Sequence, residues 1–450
     1  MIGTIVLVMI FSVLATLSVA NRRWLMFGLL LVGGFPMTML MPHETFFGFY
    51  PGGAYLFVIL AALAIALLFR FPTLLGHSVR SSGFLAFLLY SLFSLLWTPD
   101  IGHGLRMLMK LASPFIVLIA MQTFLEDERD LRIAGWMVLA CCLGVSALAV
   151  INTVGHGILG AGVDDPYFLR KNFLTPPTMS PANYSFLASS GALLALAGWL
   201  GSRRPIWLVV FLLLAVCVFW AFTRIAMAGF VMATGVLIFL LSRHMAVKLI
   251  FPIVIGIAFF TSFFFVDSFR ARMFKSEKVE AGMVMTTDLK LLDKLVFTSG
   301  RALIWHRVNE KFFHQAPMAG KGVGSVDAWL ERNMNSTRLH SEYLRIVSDT
   351  GLVGLSLYLL ALAQFFARLI AQYRRNTDPV VRKYAALALA GLMFYSITLA
   401  TDNSLNYISE FGLYVYAFLA FAFTAAGVRA SRPETARRKV FTVAPAASGL

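Results

Sequence analysis

Long apolar runs, separated by short connections that carry arginine, dominate this sequence and limit what it can fold into. Hydrophobic residues make up 59% of the 450 residues and charged residues 13%, which is more apolar surface than a water-soluble domain can bury. Each run has roughly 17–25 residues, the length at which a helix crosses a bilayer core of about 30 Å. The sequence therefore predicts an all-α polytopic integral membrane protein with about 12–13 transmembrane helices. The predicted spans are 2–20, 24–41, 53–69, 83–97, 105–125, 133–154, 183–200, 206–222, 225–241, 247–266, 350–370, 384–400 and 411–428.

The composition also excludes several classes of site. Cys141, Cys142 and Cys217 all lie inside predicted spans, so they form neither a disulfide framework nor a metal-binding spacing. The eight histidines are scattered without the helical spacing of a metal motif, so we predict no metal site and no cofactor. Asp164–Asp165 is predicted to be a solvated turn, with a divalent-ion site as the alternative. The net charge of +16 is spread along the chain, so nucleic-acid binding is excluded.

Arginine and lysine are concentrated on alternate connections, and this bias predicts the orientation of the chain. The predicted cytoplasmic connections carry Arg22/Arg23, Arg70/Arg80, Arg129/Arg132, Arg203/Arg204, Arg243/Lys248, the run from Arg368 to Lys383 and the C-terminal cluster. The opposite, outer side receives the long polar loop. We divide the chain into an N-terminal transmembrane bundle (1–266), a long outer loop with short amphipathic helices (267–343), C-terminal transmembrane helices (344–428) and a basic cytoplasmic tail (429–450).

Arg224 stands out because it interrupts the apolar sequence "VFWAFTRIAMAGFVMATG". A charge within a span costs at least a few kcal/mol unless it is paired or faces a cavity. A helix break at Thr223 would place Arg224 at the outer surface, as an anion ligand. The alternative is an arginine that only anchors a helix end in the interface.

The long outer loop supplies further candidates. The sequence "TSGRALIWHRVNEKFFHQAP" predicts an amphipathic helix over 301–313, with Arg301 and Trp305 one turn apart. "TRLHSEYLRIVSDTGLVG" then places Arg338 and His340 before an apolar helix. A neutral imidazole can accept a hydroxyl proton, whereas the structural alternative for His340 is a hydrogen bond at the helix start. On the same predicted side, Arg106 and Lys110 lie near the mouth of another span.

Three of these motifs, in this order, resemble the O-antigen ligase and O-antigen polymerase (Wzy-type) superfamily of bacterial membrane glycosyltransferases. They are "FTRIAMAG" with Arg224, "SGRALIW…P…GKGVGS" with Arg301, and "LHSEYLRIVSDTGLVG" with His340. The family's usual "SR" is "TR" here, and its common "HN" is "HS". Many spans with one long outer loop before the histidine also match the family over most of the chain.

The resemblance implies a metal-independent, inverting glycosyl transfer at the periplasmic face of the bacterial inner membrane. The donor would be a glycan on undecaprenyl diphosphate, and the acceptor a sugar hydroxyl on another glycan or on lipid A–core. His340 would be the base, and Arg224 and Arg301 would stabilise the leaving diphosphate. Arg338, Arg106 and Lys110 are predicted to bind substrate. A chain-length regulator is a further expected partner.

Three activities remain open at this point. The segment "TDNSLNYISEFG" at 401–412 favours a polymerase of exopolysaccharide or O-antigen, and a ligase that acts on lipid A–core is the alternative. A transporter of lipid-linked glycans belongs to a different class. Transporters typically show repeated halves and ionisable residues near mid-membrane, and this sequence shows no internal repeat.

Overall fold

The computed structural model describes residues 22–35, 70–155, 173–177, 179–248, 301–334 and 338–430, with scattered positions within 63–68 and 250–261. These residues form helices and contain no strand, which confirms the predicted all-α class. The α-helices are α1 (Arg22–Val32), α2 (Phe71–Arg80), α3 (Ser82–Phe93), α4 (Ile101–Phe124), α5 (Glu128–Val154), α6 (Pro181–Ser202), α7 (Pro205–Trp220), α8 (Arg224–Leu241), α9 (Arg301–Val308), α10 (Ser325–Met334), α11 (Glu342–Arg375), α12 (Pro379–Thr401) and α13 (Leu413–Ala430). Short 3-10 turns at Ser94–Trp97 and Ser404–Asn406 and π turns at Asn309–Phe313 and Ile408–Gly412 complete them.

Most predicted spans within the described residues correspond to long helices, whereas 24–41 and 206–222 correspond to the shorter helices α1 and α7, and 83–97 corresponds to α3 and the 3-10 turn after it. In the described part of the chain, seven helices are long and apolar enough to cross a bilayer. α2 and α3 meet at a bend of 99° and provide an eighth if the pair forms one span. The segment 24–41 begins as α1 and turns at Gly33–Gly34. The runs 2–20, most of 53–69 and most of 247–266 lie outside the described residues, as do 267–300 and the tail from 431.

Polar side chains cap the N-termini of several of these helices, because they accept backbone N–H groups that have no partner within the helix. Asp100 accepts the N–H of His103 at 3.1 Å, and Ser180 accepts that of Asn183 at 3.2 Å. The bond from the His103 backbone, helped by the His103 ring and by Arg332, lowers the pKa of Asp100 to about 2. Asp100 therefore remains ionised at neutral pH, at the end of the bundle where the candidate site lies.

The core is built from small residues against aromatic rings. Gly229 of α8 faces the ring of Phe394 on α12, so the two helices approach closely. Phe186, Phe394 and Phe411 then form one cluster, with ring centroids 4.8–5.8 Å apart. This cluster joins α6 and α12 to the π turn that precedes α13, and so fixes the segment 401–412.

Basic residues of the predicted cytoplasmic connections gather at the end opposite His340. Arg23 pairs with Glu126 and Asp130, and Arg429 pairs with Glu128 and Asp378 at 2.6 and 3.2 Å. These pairs tie the ends of different helices together at one face of the bundle.

A break in α11 creates the surface on which the outer loop rests. Gly351 has φ 69° and ψ −172°, a conformation essentially restricted to glycine. Leu352 and Val353 therefore donate their backbone N–H groups outside the helix, to the carbonyls of Pro317 and Met318 at 2.8 and 3.2 Å. A backbone break in a spanning helix is thus satisfied by the loop.

The glycine-rich sequence 320–324 fits the same place by close backbone contact. Gly322 has φ 94°, and a Cβ there would lie 2.5 Å from the Cα of Thr98. Asp349 of α11 accepts the backbone N–H groups of Gly324 and Val326 at 2.9 and 3.0 Å, and so caps the N-terminus of α10. The glycines therefore serve the packing of the loop against neighbouring backbone.

Candidate functional site

His340 is held by the segment that follows α12. Its backbone has φ 60°, in the left-handed region, and its N–H donates to Asn403 Oδ1 at 2.7 Å. The amide nitrogen of Asn403 lies 2.9 Å from His340 Nδ1, and Asp402 Oδ1 lies 3.6 Å from the same nitrogen. The imidazole thus has two neighbours on its Nδ1 edge, and 23% of its side chain remains accessible.

Asp402 is a buried carboxylate, with 3% of its side chain accessible. It accepts the N–H of Asn403 at 2.8 Å and the hydroxyl of Tyr407 at 3.0 Å. Burial raises the pKa of Asp402. The contact with His340 and the charge of Arg301 lower it by a larger amount, so the net pKa lies below the usual 3.8. Asp402 is therefore a permanent negative charge behind the imidazole at neutral pH.

The two neighbours of His340 Nδ1 favour different tautomers. Asn403 Oδ1 accepts the backbone N–H, so its amide group must point an N–H towards Nδ1, which favours the proton on Nε2. Asp402 accepts only, and so favours the proton on Nδ1. The second tautomer leaves Nε2 free to act as a base. The balance between these neighbours therefore controls what the ring can do chemically.

Arg301, the first residue of α9, joins the loop to this segment. Its guanidinium donates to the carbonyl of Thr401 at 2.7 Å, directly before Asp402. Its Nε is buried and has no hydrogen-bond partner among the described residues. One turn later, the indole N–H of Trp305 donates to the carbonyl of Leu339 at 2.8 Å. The predicted helix over 301–313 is thus present and is fixed beside His340.

Arg224 begins α8 after a non-helical Thr223, as the sequence predicted. It is half-buried, and its charge lies close enough to that of Arg301 for the two to interact electrostatically. Two neighbouring guanidinium groups repel each other, and an anion between them would relieve that repulsion. The structure therefore brings Arg224, Arg301 and His340 together from three separate parts of the chain.

The other predicted cations are placed differently. Arg338 is exposed, and its charge acts on Tyr407. Lys110 donates to Asn406 Oδ1 at 2.6 Å and lies 3.7 Å from Asp327. Arg106 is exposed on α4, where its Nε donates to the carbonyl of Gly102 at 3.4 Å. Lys110 thus contacts the segment that holds His340, whereas Arg338 and Arg106 lie at the surface.

A network of buried charged side chains connects the elements that hold His340. Arg345 pairs with Asp327 of α10 and, at 2.8 Å, with Glu342 of its own helix. Glu342 also accepts the backbone N–H of Leu405 at 3.3 Å. The network therefore links α10, α11 and the segment 402–407, on either side of His340.

Sequence reasoning missed Asp402 and Asn403 as functional residues. The sequence does contain a signal, because an acid and an amide directly follow the predicted span 384–400. The segment that contains them was used above only to compare a polymerase with a ligase. In the described part of the chain, no group of three His, Cys, Asp or Glu side chains is arranged to hold a metal ion. Asp164–Asp165 lies outside the described residues.

Comparison with known proteins adds one finding. Residues 208–359 match the family model described as O-antigen ligase. The match covers about a third of the chain and contains Arg224, Arg301, Arg338 and His340. A search of curated proteins gives no match.

Proposed function

We propose that this chain, whose residues 208–359 match the family model described as O-antigen ligase, is a membrane glycosyltransferase that transfers a glycan from undecaprenyl diphosphate to a sugar hydroxyl. The transfer takes place at the periplasmic face of the inner membrane. The observation that carries the proposal is the group formed by His340, the buried Asp402 and Arg301, which meet where α9, α11 and α12 end or begin.

The reaction needs a base for the acceptor. The acceptor hydroxyl gives its proton to His340 Nε2 while its oxygen attacks the anomeric carbon of the donor sugar. The bond between that carbon and the diphosphate oxygen breaks, and its electron pair leaves with the diphosphate. Attack from the face opposite the leaving group inverts the configuration. Asp402 stabilises the imidazolium that forms and, against the preference of Asn403, favours the tautomer of the free ring that carries its proton on Nδ1.

The leaving group needs cations. Arg224 and Arg301 bind the diphosphate oxygens, and the planar guanidinium offers two parallel N–H bonds to each phosphate. Their charges become more favourable as negative charge grows on the leaving oxygen. The reaction therefore uses arginine for the role that a divalent ion fills in other glycosyltransferases, and no step requires a metal. Arg338 and Arg106 guide the glycans at the outer surface, and Lys110 binds substrate from its position beside Asn406.

The acceptor separates two versions of this function. A polymerase would use a second carrier-linked repeat unit, and a ligase would use lipid A–core. The segment 401–412 favours the polymerase by its sequence, and it supplies Asp402 and Asn403 to His340 in either case. Of the two functions, we favour a polymerase that works with a chain-length regulator. A ligase is the second candidate.

The test is a deletion strain complemented with wild type, His340→Ala or the control His306→Ala. His306 lies on the exposed face of α9, where it pairs with Glu310 at 3.2 Å. Surface glycans and carrier-linked glycans are analysed together. Loss of long chains while single repeat units are still exported supports the polymerase, and long polymer left on the carrier supports the ligase. Full rescue by His340→Ala would refute the catalytic role and favour transport.

A further inference from the structure

A cavity of about 460 Å³ lies in the outer part of the molecule, among the 3-10 turn Ser94–Trp97, the π turn Asn309–Phe313 and α10. Its volume is within the range of about 300–1,000 Å³ that is typical of ligand sites. None of the residues assigned above to the transfer reaction lines it. The cavity therefore requires an explanation of its own.

The lining of this cavity is positively charged. Lys311, Lys321 and Arg332 line it, and no acidic side chain does. Arg332 pairs with Asp100 at 2.8 Å outside the lining. Among the described residues, neither lysine has a carboxylate within ion-pair distance; the ammonium of Lys311 lies over the ring of Trp329, 5.4 Å from its centroid. Two ammonium groups are thus available to a ligand anion.

The aromatic part of the lining is rigid. Trp97 is held by edge contacts with Tyr90 and Phe93, at centroid distances of 6.3 and 5.6 Å. Trp329 has a similar contact with Phe312 at 5.9 Å. Fixed aromatic rings offer flat apolar surfaces at low entropic cost. The C–H faces of a sugar ring stack on such surfaces, while its hydroxyl groups suit the amides of Gln315 and Asn333, which also line the cavity.

We propose that this cavity binds a segment of glycan that carries acidic groups. The choice of a glycan rests on the proposed function, whereas the choice of an acidic ligand rests on the lining alone. α9 and α10 share a small apolar core with Leu339, the residue before His340. A glycan held in the cavity would therefore be fixed relative to the reacting group, which gives the enzyme a way to select acidic chains.

Direct binding tests the proposal without the transfer reaction. Full-length protein in lipid nanodiscs is titrated calorimetrically with trigalacturonate, with neutral maltotriose and with inorganic phosphate. The test variant is Lys311→Ala/Lys321→Ala. The control, Arg307→Ala/Arg243→Ala, removes the same number of charges at exposed positions that do not line the cavity. His340→Ala is titrated in parallel, because it removes the proposed base and leaves the cavity intact.

We expect wild type to bind trigalacturonate at least about tenfold more tightly than maltotriose, since each charged contact contributes substantially. The lysine variant should lose that preference, and the control should stay within about twofold of wild type. The proposal is overturned if wild type does not bind trigalacturonate, if maltotriose or inorganic phosphate binds equally well, or if the lysine variant binds trigalacturonate as tightly as wild type. Transfer activity in His340→Ala would refute the proposed function alone and would leave the binding result standing.

Discussion

Replacing Asp402 with asparagine removes one charge behind His340 and changes little else. The new side chain keeps an oxygen that can accept from the Asn403 N–H and the Tyr407 hydroxyl, so the local fold is preserved. The amide cannot stabilise an imidazolium, and it does not favour the proton on Nδ1. Asp402→Asn therefore separates the electrostatic role of this residue from its role in structure.

The expected loss of kcat in Asp402→Asn follows from the distance of 3.6 Å between Asp402 Oδ1 and His340 Nδ1. Two unit charges at that distance interact by about 4–5 kcal/mol at an effective dielectric constant of about 20. With about half of the positive charge developed in the transition state, about 2 kcal/mol is lost, which corresponds to a kcat lower by about 50-fold. The altered tautomer balance adds to this loss. KM should change little, because Asp402 does not contact substrate.

The assay measures glycan transfer by purified protein in lipid nanodiscs, from carrier-linked donor to acceptor. Glu310→Gln is the matched control, because Glu310 is an exposed acid that pairs with His306 and neither contacts Asp402 nor lines the cavity. Since the pKa of Asp402 lies below its usual value, the carboxylate is charged from pH 5 to 8, and the loss should persist throughout that range.

A second substitution distinguishes the mechanism from simple damage. In Asp402→Asn/Asn403→Asp, one carboxylate oxygen of residue 403 still accepts the backbone N–H of His340. The other oxygen replaces the amide nitrogen that lies 2.9 Å from Nδ1 in the wild type. The acid is then restored next to the imidazole, and kcat should return to within about tenfold of wild type. A single variant that retains kcat within about fivefold, or a double variant no better than the single one, would refute the reasoning.

Three further predictions address the diphosphate site, metal dependence and the loop. Arg224→Lys should lower transfer at least about tenfold, because an ammonium cannot form two parallel bonds to phosphate; near-normal rates in the purified assay would contradict this. EDTA should leave the rate unchanged, and chelator-sensitive transfer would instead direct attention to Asp164–Asp165. Gly351→Ala should destabilise the protein by about 2–4 kcal/mol, since its Cβ would overlap the Met318 carbonyl in a backbone conformation restricted to glycine. Thermal unfolding should show no such effect for Gly427→Ala, where a Cβ meets nothing within 4 Å.

The spans were predictable because membrane insertion depends on run length and charge, both of which are local. The predicted span 206–222, for example, corresponds to α7 at Pro205–Trp220. Arg224 was predicted at the end of a span for the same reason, because its charge is costly anywhere deeper. The bend at Gly351 could not be predicted in this way, since it depends on loop carbonyls more than 30 residues earlier that replace the helical bonds.

The candidate site was predictable in part. Arg301 and His340 are conspicuous as polar residues in recognisable motifs beside apolar helices. Asn403 is 63 residues from His340, and their contact depends on how α11 and α12 pack. Only the structure shows that the glycines at 320–324 allow contact with the backbone near Thr98. Local pattern therefore identified the charged groups and left their pairing undetermined.

The dependence of His340 on residues beyond α12 has a consequence for biosynthesis. Membrane proteins are made and inserted from the N-terminus onwards, so Arg224, Arg301 and His340 enter the membrane before Asp402 and Asn403 are made. A chain that stops after α12 would contain all three motif residues, yet its imidazole would lack the carboxylate and the amide that position it. A chain that stops there is therefore expected to be inactive in the proposed transfer.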